Sequence, residues 1–281
     1  LVGSEMCIRD SCSLVPWFWG AWLPAIANYF KKWSDSKVDY QSEIYNELKA
    51  MIPAEEETLR VRDGNFFYYS RIKANQQYRT YYRNDSSEEI ILNANELSKG
   101  NDYFSIGRRI ISPNNEWLAY TIDTVGRTMY SLYFKNLVTQ KTLNYSIHNV
   151  ESNIAWANDN KTIYYTSQND ITLNPEKVYR HVVGSDTKQD QLVYHEKDGD
   201  YWSGVYRSKS GDFIIIYSEG HSSSDYQILS SDDLKGDFKN FTKRQKNHKY
   251  SIAHFEDKFY ILTYLDAPNN RLMETPSSKT D

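Results

Sequence analysis

The chain holds 281 residues, with 33 Lys+Arg against 37 Asp+Glu for a net charge of −4, and is 40% hydrophobic and 25% charged. That composition is globular and too apolar for disorder. Its acidity disfavours a nucleic-acid binder, which is usually basic. The two cysteines, Cys7 and Cys12, both fall in the first twelve residues, so neither a disulfide framework nor a cysteine-based zinc site can organise the rest.

The chain opens on Leu1, and residues 11–30 (SCSLVPWFWGAWLPAIANYF) carry no charge. That run is long enough for a membrane span, and Ala25-Ile26-Ala27 imitates a signal-peptidase site. Pro16 and Pro24 interrupt it, and Asp10 sits where a leader carries positive charge. Residues 1–27 are therefore read as a non-native leader, with a signal or anchor and a buried helix kept as alternatives. A cytoplasmic location is expected, or a periplasmic one if the apolar run is genuine.

Residues 28–56 read as a helical extension. Within 38–52 (VDYQSEIYNELKAMI), Ile44, Leu48 and Met51 recur at helical spacing as one apolar stripe, ended by Pro53. From Glu57 onward the pattern changes to short aromatic and β-branched strands between turn pairs, in keeping with 24 Tyr, 11 Phe and 7 Trp.

A turn-like pair precedes an apolar strand five times. Asp63-Gly64 leads into Phe66–Tyr69, Asn114-Asn115 into Trp117–Tyr120, and Asp159-Asn160 into Ile163–Tyr165. Ser210-Gly211 leads into Phe213–Ile216 and Glu256-Asp257 into Phe259–Leu262. With Phe67, Leu118, Ile163, Ile214 and Tyr260 taken as equivalent, the steps are 51, 45, 51 and 46 residues. Further strands follow within units, at Tyr130–Phe134, Lys177–His181 and Gln191–Tyr194. Multi-stranded repeats of roughly 40–50 residues are the signature of β-propeller blades. The expected fold is all-β: a partial propeller of four to five blades over residues 57–281, preceded by the helical segment. Its open ends would make it marginally stable alone.

Several runs then resemble the prolyl oligopeptidase family, most closely its oligopeptidase B branch. They are Tyr68-Tyr69-Ser70-Arg71 with Gln77-Tyr78 and Tyr82-Arg83, Glu89–Leu97, and Ile111–Asn115. Ala119–Gly126, Val178-Tyr179-Arg180-His181 and Asp266–Leu272 complete the set, so the resemblance spans about residues 38–276. It departs at Asn93, at Asn114 and at Ala157-Asn158-Asp159, turn or strand-end positions where the family favours Asp or Ser-Pro-Asp. The resemblance implies a seven-bladed propeller capping an α/β-hydrolase domain that carries Ser, Asp and His. It further implies hydrolysis of short peptides after Lys or Arg without a cofactor, the propeller restricting access, the helix 38–52 packing on the hydrolase domain, and no nucleic-acid or membrane partner. The alternative is a stand-alone propeller scaffold without catalysis, since propellers host many functions.

No catalytic, cofactor-binding or metal-ligating residue is assigned in this chain. A hydrolase nucleophile needs Gly-x-Ser-x-Gly, and both Tyr201-Trp202-Ser203-Gly204 and Lys209-Ser210-Gly211 lack the first glycine. The six histidines, His148, His181, His195, His221, His248 and His254, show no metal-ligand spacing. His221, Ser222–Ser224 and Asp225 read as a polar loop rather than a triad, and Asp198 and Asp200 as a turn rather than a calcium site. The basic group Lys243, Arg244, Lys246 and Lys249, beside Phe241 and Tyr250, reads as a solvated interstrand loop rather than a nucleic-acid surface. Asn84-Asp85-Ser86 and Asn144-Tyr145-Ser146 match a glycosylation sequon that has meaning only on secretion.

Overall fold

The computed structural model describes residues 16–280, with side chains from Ile26 onward. Cys7, Cys12 and the first part of the expected leader lie outside the described residues. Two compact units emerge: residues 57–72 and 76–280 form the larger, and the helices up to Glu56 with Lys73–Asn75 form the smaller.

The smaller unit contains α1 (Pro16–Asp35) and α2 (Val38–Met51). Helix α2 carries Asp39 in its first turn and Lys49 in its last, complementing the helix dipole. It stops at Ile52, whose extended backbone (ψ 121°) is what a following proline demands. The expected stripe of Ile44, Leu48 and Met51 lies on this helix, but all three residues are exposed. Among the described residues no helix is long and apolar enough to cross a membrane.

The larger unit is almost entirely antiparallel strand. Its first sheet contains β1 (Glu56–Glu57), β2 (Val61–Asp63), β3 (Phe66–Ile72), β4 (Thr80–Asn84) and β5 (Glu88–Asn93), with β1 and β2 sharing one edge of β3. A one-turn helix, α3 (Ala94–Leu97), follows. The second sheet has seven strands in sequential order: β6 (Ser105–Ile111), β7 (Trp117–Asp123), β8 (Tyr130–Asn136), β9 (Ile147–Trp156), β10 (Thr162–Gln168), β11 (Pro175–Val182) and β12 (Gln191–His195). Its ten-residue β9 serves both sides: Ile147 and Val150 pair with β8, while Ile154–Trp156 pair with β10. The third sheet runs β13 (Trp202–Arg207), β14 (Phe213–Glu219), β15 (Ser224–Ser230), β16 (Lys239–Asn240), and the fourth β17 (Tyr250–Phe255), β18 (Lys258–Thr263), β19 (Arg271–Pro276).

The five turn pairs each supply a left-handed residue, at Gly64, Asn115, Asn160, Gly211 and Glu256, as tight hairpins require. A fully buried residue follows three positions later at Leu118, Ile163 and Ile214. In the last unit the left-handed residue is the first of its pair, so the buried equivalent is Phe259 and not Tyr260. In the first unit Phe67 is exposed. Each of these apolar runs is also the second strand of its unit. A strand before each turn (β2, β6, β9, β13 and β17) had no counterpart in the sequence reading.

The core explains why the second strands read as unbroken apolar runs. Leu118 and Tyr120 face β5 in one cluster, while Ala119 packs with β8, β9 and β10 in the next. Ile163 and Tyr165 belong to that cluster, and Tyr164 to one shared with β13 and β14. Ile214 and Ile216 complete this third cluster, while Ile215 faces β17 and β18. Successive side chains point to opposite faces of a strand, so a strand covered on both faces needs apolar residues at every position. Sheets stacked face to face in series, each sharing a core with the next, define a β-propeller-type domain.

Candidate functional site

Four of the five strands that precede the turns, β2, β6, β9 and β13, converge on a cavity of about 650 Å³. β2 contributes Val61 and Asp63, β6 Arg108–Ile111, β9 Ile154–Trp156, and β13 Tyr206 and Arg207, with Tyr68, Tyr69, Tyr81 and Tyr82 from β3 and β4. A β-bulge in β6 adjoins the cavity. The β6–β7 register slips between Ile106 and Arg109, and the amide of Arg108 donates to Thr121 Oγ1 at 2.8 Å. Gly107 is required there, since a Cβ would come within 2.6 Å of Thr121 Oγ1 and 2.8 Å of the Tyr130 ring. Bulges re-aim side chains, and the two successive arginines that follow this glycine both line the cavity. Burial lowers the Arg109 pKa from its ordinary value. Tyr68 and Tyr206 are pushed up by burial, so both phenols stay protonated.

The serines weighed from sequence are structural. Ser203 is fully buried and its Oγ hydrogen-bonds with Ser218 Oγ at 2.8 Å. The adjoining Gly204 pairs across strands with Tyr217, whose ring occupies the space a Cβ would need. Gly204→Ala is therefore expected to cost about 1–3 kcal/mol through overpacking. Urea unfolding checks it, and an unchanged midpoint would show that the Tyr217 ring swings aside freely.

Ser210 lies 2.8 Å from His254 Nδ1, with Asp212 Oδ2 3.4 Å from the same nitrogen. A catalytic relay needs the carboxylate on the opposite ring nitrogen from the nucleophile. Here Nε2 instead meets Ser277 Oγ at 2.9 Å. The grouping is a clamp between β13–β14 and the last sheet, not a charge relay.

His221 and Asp225 do not meet. The polar loop is shorter than read, because Ser224 and Asp225 already belong to β15 and are buried. Ser224 Oγ accepts the Tyr250 amide at 2.7 Å and donates to the Tyr250 carbonyl at 2.8 Å. The basic loop is not wholly solvated either. Arg244 Nη2 pairs with Glu196 and lies 3.1 Å from Asp225 Oδ2, and its guanidinium sits 4.1 Å from the Tyr201 ring centroid. Lys249 Nζ lies 3.8 Å from Glu219. Asp198 forms a turn, accepting the Asp200 amide at 3.1 Å. Asn84 ends β4 and Asn144 lies between β8 and β9. Among the described residues no three His, Cys, Asp or Glu side chains are placed to hold a metal.

His181 has the most constrained surroundings. It is fully buried on β11, with Nδ1 2.6 Å from Asp190 Oδ1 and Nε2 2.9 Å from the Tyr145 hydroxyl. Tyr165 donates to the other Asp190 oxygen at 2.8 Å, and the Gly184 amide donates to Tyr145 at 2.8 Å. Its ring stacks on Phe134 at 5.6 Å. Every polar atom is satisfied inside the stack, which ties β8, β11 and the loop before β12 together.

The serially stacked antiparallel sheets make the chain a β-propeller-type protein. It belongs to the prolyl oligopeptidase family, residues 15–281 matching the family model described as prolyl oligopeptidase, N-terminal beta-propeller domain. Protease 2 of Moraxella lacunata is 31% identical over 245 residues, covering 83% of this chain and 35% of that protein. Dipeptidyl aminopeptidase BI of Pseudoxanthomonas mexicana is 29% identical over 260 residues, covering 85% and 36%. The fold also matches oligopeptidase B from Leishmania major (TM-score 0.82, 21% identity, 90% of this chain and 37% of that one). Oligopeptidase B from Trypanosoma brucei with covalently bound antipain matches with TM-score 0.80 at 23% identity over 98% and 40%. The chain thus spans about a third of the length of the curated relatives it matches.

Proposed function

We propose that this chain is the propeller portion of a serine oligopeptidase that hydrolyses short peptides after Lys or Arg. The observation that carries the reading is the family match across residues 15–281 together with 31% identity to a protease. In this reading the nucleophilic Ser, the His that moves its proton and the Asp that orients the His all lie on a hydrolase part outside these 281 residues. The propeller acts by exclusion: its packed sheets form a rigid cap that narrow, flexible peptides pass and folded proteins do not. The exposed Ile44, Leu48 and Met51 of α2 supply the apolar face with which the extension packs on the hydrolase part.

A fluorophosphonate probe is expected to leave this chain unlabelled. The natural reading frame that contains it should label at one serine outside these residues, and should cleave short Arg- or Lys-containing peptides while sparing folded proteins. Labelling of a serine within residues 16–280, or a full-length protein inert towards such peptides, would refute the reading.

A further inference from the structure

The cavity at the converging strands brings together three arginines, Arg108, Arg109 and Arg207, and one acidic residue, Asp63. None of the three arginines pairs with a carboxylate within 4.0 Å among the described residues, whereas Arg71, Arg83 and Arg244 each hold at least one glutamate. The Arg109 guanidinium lies over the Tyr81 ring, 4.0 Å from its centroid, and its N–H groups make no hydrogen bond among the described residues. Arg207 is held by donation from Nη2 to the Gly211 carbonyl at 3.0 Å and to Asn158. The bulge at Gly107 brings Arg108 to the same space. Three guanidinium groups against one carboxylate leave the lining itself with an excess of two positive charges, while Asp212 and Asp232 act on Arg207 from outside it. Arg108 is exposed, while Arg109 and Arg207 are half-buried, and a half-buried cation without a close counter-charge is costly to a fold unless an anion offsets it.

We propose that this cavity is a binding site for a small multivalent oxyanion, a phosphate- or carboxylate-bearing ligand held by Arg108, Arg109 and Arg207 between aromatic walls. A volume of about 650 Å³ suits a small-molecule ligand. Planar guanidinium forks match carboxylate and phosphate oxygens two at a time, which a point-charge lysine does not. The site does not depend on peptidase chemistry, so its failure and the failure of the peptidase reading are separate results.

The probes are inorganic pyrophosphate and citrate, titrated calorimetrically into the 281-residue chain at low salt. Saturable one-site binding is expected, weakened about tenfold or more by Arg108→Gln/Arg109→Gln and weakened again by added salt. Binding of pyrophosphate alone assigns a phosphate ligand, of citrate alone a carboxylate ligand, and of both a general oxyanion site. The unmodified chain gives a second readout that needs no variant. Either anion that binds should protect Arg108 and Arg109 from phenylglyoxal, mapped by mass spectrometry, and should leave the exposed Arg127 reactive. No saturable binding of either anion, or equal modification of Arg108, Arg109 and Arg127 with and without it, would overturn the proposal.

Discussion

At pH 7, Glu196→Gln is expected to lower the free energy of unfolding by about 1–3 kcal/mol, while Asp225→Asn leaves it unchanged or raises it. Both carboxylates contact the same guanidinium, Arg244, but their balances differ. Burial pushes the Glu196 carboxyl up, yet Arg244, the Asp198 amide and the Tyr194 hydroxyl outweigh it and bring the pKa down to about 2. At Asp225 burial outweighs the attraction of Arg244, and its pKa is raised. One Asp225 oxygen, Oδ1, is buried with no hydrogen-bond partner. A depressed carboxyl pKa stabilises the fold above the unfolded value near 4.5, and that contribution is lost as pH falls through about 2. A raised carboxyl pKa has the opposite sign, so protonating Asp225 on the acid side relieves a cost. Urea unfolding of the parent and both variants, at neutral pH and down the acid limb, checks this. Equal losses in the two variants would mean that Arg244 holds both acids alike.

His181→Ala is expected to cost about 3–5 kcal/mol. It empties a volume beside Phe134 and takes from Asp190 the imidazole that faces it in a site where the carboxylate is 3% exposed. Tyr145 loses one partner but keeps the Gly184 amide. Asp190→Asn is a milder change, since it retains an oxygen for Tyr165, and about 1–2 kcal/mol is expected. Thermal or urea denaturation measures both. A His181→Ala chain within 1 kcal/mol of the parent would show that neither the imidazole's volume nor its hydrogen bonds hold the stack together.

The propeller was legible because its punctuation is written in residue types with a physical cause. Asp-Gly, Asn-Asn, Asp-Asn and Ser-Gly mark hairpins that need a left-handed residue, and the strands after them are apolar throughout because both faces are covered. The strands before the turns were illegible for a related reason. β6 (SIGRRII) mixes glycine and charge because its arginines line the cavity, and β9 (IHNVESNIAW) carries its charge and amides in the stretch where its pairing shifts from β8 to β10, with only the apolar Ile154–Trp156 lining the cavity. The same mixture hid the cavity arginines, although a doubled arginine after glycine inside an apolar run was a usable signal. The buried pairing of Arg244 with Glu196 was beyond sequence reasoning, because the partners are separated by 48 residues and meet only once the third sheet has formed.

The shared strand β9 has a mechanical consequence. Adjoining sheets in this unit touch mainly through side chains, with single backbone bonds such as Ser224 N–H to the His248 carbonyl, but the two halves of the seven-stranded sheet are stitched by one continuous backbone ladder through Val150. Separating them requires breaking the main-chain hydrogen bonds on one side or the other of that strand. Residues 105–195 should therefore open as one cooperative block, and any breathing of the propeller should fall at the seams on either side of it.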